Sequence, residues 1–385
     1  MHKRKLKKNL IGMILPTVLF SSPLFASDKI EDLQEQVDNL ELIIDEMSEQ
    51  LGNRALVRVF DGIKLDIGGF LHSAYTFIDG EEDSLGSFNR QNFELLIGAE
   101  LTENWTAFVA AGFLREAGDP FSVGSRETPT FDTNNNSPLI IGWVNYEHSD
   151  LFNVRVGRMI TPHGVINIEH FPATLLDPEQ PQLLRPFGGN TIFPNFSTGI
   201  QLHGKNFTNT GIFSYQTYAT NATSGNNTSN SEEVIGTRLA YGNMNGSWEI
   251  GLNGSDSYRA STSSDNTMFG VDAHARFGNF DFTAEIYNTS EDTGGDREAY
   301  YLRPAWHISD KWVAFYRHDF LDAGDEYGES TENALGINYL PNNNVRLRII
   351  YTMKEFNDGF TDSTLTTSLN SADADIIQFS GTYSF

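Results

Sequence analysis

From Gly62 to the end of the chain, apolar and polar residues alternate with a period of two. In the first run Ile63, Leu65, Ile67, Gly69, Leu71, Tyr75 and Phe77 share one face, while Lys64, Asp66, His72 and Thr76 share the other. Successive side chains of a strand point to opposite sides, so the pattern predicts a β-strand with one apolar and one polar face. The next run repeats it, with Phe93, Leu95, Ile97, Ala99 and Leu101 set against Arg90, Asn92, Glu94 and Glu100. Similar runs near 105–115, 139–147, 151–160, 197–205, 211–220, 233–242, 247–257, 267–277, 280–289, 298–308, 311–320, 332–340, 345–355 and 374–385 bring the expectation to sixteen strands.

The connections alternate in length. Short turns are expected at 102–104, 148–150, 206–210, 243–246, 278–279, 309–310 and 341–344, and longer polar loops at 79–87, 116–138, 161–196, 221–232 and 357–373. Short turns on one side and long loops on the other are the layout of a transmembrane β-barrel. In lipid every backbone N–H and C=O must be paired within the protein, so a spanning sheet has to close on itself. Trp105, Trp248, Trp306, Trp312, Tyr241 and Tyr339 fall near the short turns, where an interfacial aromatic girdle belongs. A soluble β-sandwich with one wet face is the competing reading of the alternation, though it does not call for one-sided loop lengths.

Ahead of the strands the pattern is different. Lys3, Arg4, Lys5, Lys7 and Lys8 precede an apolar stretch from Leu10 to Phe20, and small residues suit cleavage after Ala26, so residues 1–26 read as a secretory signal peptide. Next, Ile30, Leu33, Val37, Leu40, Ile44, Met47 and Leu51 alternate three- and four-residue steps, the seam of a coiled coil. Residues 27–52 are therefore expected to form a short periplasmic α-helical coiled coil that self-associates, 53–61 a linker, and 62–385 the barrel. The seam alone leaves dimer and trimer open.

Composition narrows the function classes. The 385 residues hold 26 Lys and Arg against 51 Asp and Glu, a net charge of −25 that becomes −30 when the five basic residues of the signal peptide leave. Such a chain repels phosphate backbones, so no nucleic acid partner is expected. The absence of cysteine removes thiol nucleophiles, Cys-ligated metals and disulfides. The mean hydropathy of −0.35 argues against helical membrane spans but not against a barrel, which exposes only alternate residues to lipid. Neither cofactor nor metal is expected. Acidic clusters at 81–83, 291–296 and 322–329 lack a complete calcium-loop spacing and read as solvated loop segments.

The last strand puts Ile377, Phe379, Gly381, Tyr383 and Phe385 on one face, and its Tyr383-x-Phe385 ending resembles the C-terminal assembly signal of bacterial outer-membrane porins. That resemblance implies the outer-membrane barrel assembly machinery as a partner. The stretch from Val156 through Gly157-Arg158 and Thr161-Pro162-His163-Gly164 to Thr198-Gly199 resembles the phosphate-selective porin O/P-like families, although His163 stands where an aromatic is common. A coiled coil before a barrel resembles the DcaP-like trimeric porins. In general porins the third loop folds into the barrel and narrows it, which makes 161–196 the candidate constriction. Six prolines and the apolar residues Phe171, Leu175, Leu176, Leu183, Leu184, Phe187, Ile192 and Phe193 suit an ordered segment there.

Parity places Lys64, Arg90, Arg155, Lys205, Arg238, Arg276, Arg303, Arg346 and Arg348 on the lumen wall, with Asp66, Glu94, Glu100, Glu249, Asp272, Asp281 and Glu285. At the constriction, Arg158, His163, His170 and Arg185 are set against Glu169, Asp177 and Glu179. Opposed charges in a narrow pore select permeants by sign, whereas charges paired with lumenal neighbours only hold the loop. Both readings stand for each residue.

The chain is thus expected to be an all-β, 16-stranded antiparallel transmembrane β-barrel preceded by a short coiled coil. Its expected role is a passive outer-membrane porin for small hydrophilic solutes, with the resemblance and the wall count favouring anions. Lipid, lipopolysaccharide and its own copies, as a homotrimer, are the expected partners. A non-conducting surface barrel, adhesin or receptor, is one alternative. An outer-membrane enzyme such as a phospholipase is another, though the sequence holds no Gly-x-Ser-x-Gly elbow.

Overall fold

The computed structural model describes residues 63–80, 84–116, 139–185, 192–221, 232–259, 264–292, 295–324, 328–356 and 373–385. The signal peptide, coiled-coil seam and linker expected before Gly62 lie outside the described residues, as do the acidic cluster at 81–83 and the side chain of Arg90.

The described chain folds into sixteen strands: β1 (Lys64–Gly80), β2 (Ser84–Glu100), β3 (Trp105–Glu116), β4 (Leu139–Ser149), β5 (Phe152–Ile160), β6 (Phe196–Phe207), β7 (Ile212–Thr220), β8 (Glu232–Gly242), β9 (Trp248–Arg259), β10 (Ser264–Phe277), β11 (Phe280–Glu291), β12 (Arg297–Ser309), β13 (Trp312–Asp322), β14 (Glu329–Asn342), β15 (Val345–Phe356) and β16 (Ala374–Ser384). Each pairs antiparallel with its neighbours in sequence, and β16 returns to β1, closing the barrel. The closing seam runs from Phe70 opposite Ser384 to Gly80 opposite Ala374. It is extended by reciprocal backbone bonds in which Gly69 N donates to Phe385 O (3.1 Å) and Phe385 N to Gly69 O (3.0 Å).

The layout is inside out relative to a soluble protein, and this disposes of the sandwich. Ile235 is 63% exposed and Leu335 53%, whereas Arg317 is 1% and Glu285 2% exposed. A sandwich hides its apolar face between sheets; here the apolar face forms the outer surface and charge is held within. Trp105, Trp306 and Trp312 stand exposed at the short-turn end. Their rings pack against Tyr146, Phe280 and Tyr339 respectively, as interfacial anchors do.

One expectation is corrected. The long loop placed at 79–87 is shorter, because β1 continues to Gly80 and β2 begins at Ser84. Polar residues beyond the hydrocarbon region still extend the ladder, so hydropathy underestimates strand length where a strand leaves lipid.

Candidate functional site: the third loop and the lumen wall

Between β5 and β6 the chain turns into the barrel. It forms one helical turn, α1 (Ile166–Glu169), then a single 3₁₀ turn at Gln182–Leu184. Ile166, Leu175, Leu183, Leu184, Ile192 and Phe193 of this loop form one apolar cluster with Met268, Tyr287, Ala299, Tyr301 and Leu321 of the wall and Ala323 just beyond β13. Each such side chain contributes about 1.5–3 kcal/mol on burial, which offsets the ordering of one or two loop residues. The inward fold of residues 161–185 and 192–196 therefore has a hydrophobic cause besides its polar ties.

The first limb is held by hydrogen bonds to β7, β9 and β11. Nδ1 of His163 donates to Asn253 Oδ1 (3.1 Å), and its Nε2 accepts from the Tyr218 hydroxyl (2.7 Å). This is the pattern of a neutral imidazole. Burial pushes the His163 pKa down to about 4. Glu285 accepts from the backbone N–H groups of Val165 (2.8 Å) and Ile166 (3.0 Å) and from the Tyr301 hydroxyl (2.6 Å). Gly164 makes this approach possible: at φ +70° a Cβ there would lie 2.0 Å from Glu285 Oε2. His170 packs edge-on against Phe196, with ring centroids 4.5 Å apart, and burial lowers its pKa to about 3.

The second limb meets β13 to β16 through charge. Arg185 pairs with Glu332, and Arg317 with Asp177. Arg317 also binds Asp319 (2.6 Å) and Glu332 (2.9 Å), and Lys354 lies 3.3 Å from Glu332. Three acids and three bases thus share one buried cluster that balances its own charge. Arg185 further donates to the carbonyls of Glu179 (2.9 Å) and Gln180 (2.7 Å). Glu179 accepts from Gln378 (2.7 Å). Arg346 donates to the Thr174 and Leu175 carbonyls (both 2.8 Å), and Arg348 to the Pro172 carbonyl, to Leu175 O (2.8 Å) and to Thr382 Oγ1 (2.7 Å).

Of the residues set at the constriction from sequence, His163, His170, Asp177 and Arg185 are buried in this docking, and Glu169 is exposed at the end of α1. Arg158 lies in β5 rather than in the loop, its Nε donating to Ile140 O (2.8 Å) and its guanidinium 5.4 Å from the Phe196 ring. On the wall, Arg238 is paired with Asp272 (2.6 Å) and Glu249 (2.7 Å), and Arg303 donates to Thr283 (3.1 Å). Lys64 bridges Glu100 at 2.9 Å with both side chains exposed. Arg155 lies 4.3 Å from the Trp143 ring, and Lys205 and Arg276 are exposed.

Arg317, Asp319, Glu332 and Lys354 were not singled out from the sequence. In β13 the inward Val313 and Phe315 are as apolar as the outward Ala314 and Tyr316, so parity gave no orientation for Arg317. The signal that was available is the spacing of Arg317 and Asp319, two charges on one face of a strand otherwise rich in apolar residues.

The loop covers the wall unevenly. Inward residues midway along β9 to β16, such as Asn253, Glu285, Tyr301, Arg317, Asn338 and Gln378, are buried beneath it, while Arg155, His203, Lys205, Glu249, His274, Arg276, Asp281 and His307, near the short-turn ends of β5, β6 and β9 to β12, stay wholly or partly accessible. Among the described residues no cluster of His, Asp and Glu is arranged to hold a metal ion.

No protein-family model matches the sequence, and no curated protein matches it. Among solved structures, the barrel is similar to an anion-selective porin from Comamonas acidovorans (14% identity, TM-score 0.58, covering 84% of this chain and 100% of that one). It is also similar to OmpT of Vibrio cholerae (12%, 0.56, 84% and 98%) and to the outer membrane channel DcaP of Acinetobacter baumannii (11%, 0.54, 84% and 98%). At these identities the likeness establishes the fold: a closed, antiparallel barrel of the outer-membrane porin type.

Proposed function

We propose that the protein is an outer-membrane porin, a water-filled channel for passive diffusion of small hydrophilic solutes, and not an enzyme. The observation that carries this reading is the accessible, charged inner wall at the short-turn ends of β5, β6 and β9 to β12, beyond the part of the wall on which the loop is docked. Charged side chains keep their hydration only where water enters, and a polar interior within an apolar exterior is what a conducting barrel requires. At these short-turn ends the accessible bases Arg155, Lys205 and Arg276 outnumber the accessible acids Glu249 and Asp281, which favours anions. The coiled-coil seam at residues 30–51 supports self-association and the resemblance to DcaP-like trimeric porins sets the number at three, with lipopolysaccharide and lipid around the belt and the barrel assembly machinery reading Tyr383 and Phe385.

Single-channel recording in a planar bilayer under a salt gradient tests this. Stepwise currents in threes with an anion-selective reversal potential are expected. A second reading, a sealed surface barrel, is favoured by the apolar cluster that the loop forms with the wall. Silence from protein shown to be folded and inserted would establish that reading instead.

A further inference from the structure

On the accessible wall, one carboxylate is shared by two imidazoles. His274 on β10 donates from Nε2 to Asp281 Oδ1 on β11 (2.8 Å), and His307 Nε2 on β12 lies 3.7 Å from Asp281 Oδ2. The three side chains are 27%, 22% and 28% exposed, enough to meet water from the lumen. The His307 Nε2 atom is itself enclosed and has no hydrogen-bond partner. A proton placed there would face a carboxylate oxygen, which turns an idle contact into a charge-assisted one.

Acidic and basic side chains surround this cluster. Glu249 on β9 lies opposite His274 and is tied to Arg238. Arg276 on β10 lies opposite Asp281, and Arg303 on β12 donates to Thr283. Glu169 at the tip of α1 and Arg303 both act electrostatically on His274. Glu169 and Arg303 also act on Arg346 of β15, whose guanidinium is bonded to loop carbonyls. Among the side chains gathered here, histidine is the type whose ordinary pKa lies nearest neutrality.

We propose that His274, Asp281 and His307 form a proton-binding site that sets the ion selectivity of the channel, resting on the channel reading above. With both rings neutral the site carries one negative charge. With both protonated it carries one positive charge, and the lumen wall gains two charges in each barrel. Two unit charges about 8 Å from a passing ion, in water and screened at about 0.1 M salt, change the anion-to-cation permeability ratio about two- to fivefold. The exposed Glu169 places this site beside the tip of α1, where the docked loop leaves the wall accessible.

The test measures reversal potentials in a potassium chloride gradient at about pH 7.5 and about pH 5.5, together with histidine-selective NMR of the detergent-solubilised protein. The permeability ratio is expected to rise about two- to fivefold toward anions on acidification in the native channel. It should stay flat in a His274→Asn/His307→Asn variant whose heat-modifiable migration on gels is unchanged. In NMR the two rings should take up protons over this range, and Asp281→Asn should make both protonate at lower pH. Rings that take up no proton, or a variant that shifts as much as the native channel, overturn the site even in a conducting barrel. Absence of current at either pH overturns the channel reading and the selectivity role with it.

Discussion

Replacing Arg185 by Met keeps most of the side-chain volume but removes the one cation that the third loop contributes to its charged anchor. Arg185 and Glu332 are 6% and 1% exposed, so the carboxylate left behind cannot be rehydrated without moving the loop. Arg317 and Lys354 still face Glu332, yet the cluster changes from three acids and three bases to three and two. Removing one partner of a buried pair costs about 3–5 kcal/mol, because an uncompensated charge remains. If that cost falls on loop docking, amide exchange across 172–185 accelerates about 100- to 3,000-fold. Hydrogen-exchange mass spectrometry of the detergent-solubilised barrel reads this directly, with the strand peptides as internal controls. The double variant Arg185→Met/Glu332→Gln restores charge balance and should exchange more slowly than the single one, a coupling that a double-mutant cycle isolates. The reasoning fails if the single variant stays within about tenfold of native exchange, or if the double variant exchanges faster than Arg185→Met.

Acid should loosen the first limb of the loop. Burial holds the docked pKa of His163 at about 4 and of His170 at about 3, while an undocked imidazole titrates near ~6.5. Docking is therefore at full strength above pH ~6.5 and weakens as pH falls toward 4, by about tenfold per histidine per unit. Intrinsic-rate-corrected exchange at 163–171 checks this, and a His170→Gln variant should show about half the slope. Gly164→Ala should weaken docking by about 1–3 kcal/mol, since the new Cβ collides with Glu285; unchanged exchange at Val165 and Ile166 would count against the grip assigned to that carboxylate. Deleting residues 30–51 should leave heat-modifiable barrel migration intact while shifting the oligomer to smaller species in size-exclusion chromatography with light scattering.

The barrel was legible because lipid imposes one rule on every strand: alternate residues must be apolar, whatever their neighbours. That rule weakens beyond the hydrocarbon, which is why the β1–β2 connection reads longer in the sequence than Gly80 and Ser84 make it. The packing of Ile166, Leu175, Leu183, Leu184, Ile192 and Phe193 against the wall was legible in the loop's apolar residues, which have no use in a solvated loop. The roles of its charges were not. Asp177 and Arg185 read as pore-facing groups or as anchors equally well, and only the distant Arg317 and Glu332 show that both enter the anchor. Partners separated by about 140 residues leave no trace in local spacing. The His274, Asp281 and His307 cluster was half visible: parity put Asp281 on the wall, but shared access to one carboxylate depends on inter-strand register.

The third loop also constrains the order in which the molecule is made. Its partners Asn253, Glu285, Arg317, Glu332, Arg348 and Gln378 all follow it in the chain. Loop closure over such separations is entropically slow, and the contacts do not exist until β9 to β16 are in place. The loop must therefore wait, undocked, while the later strands form, so its seating belongs among the last steps of maturation. A barrel just closed, with that segment still loose, would be wider than the finished one.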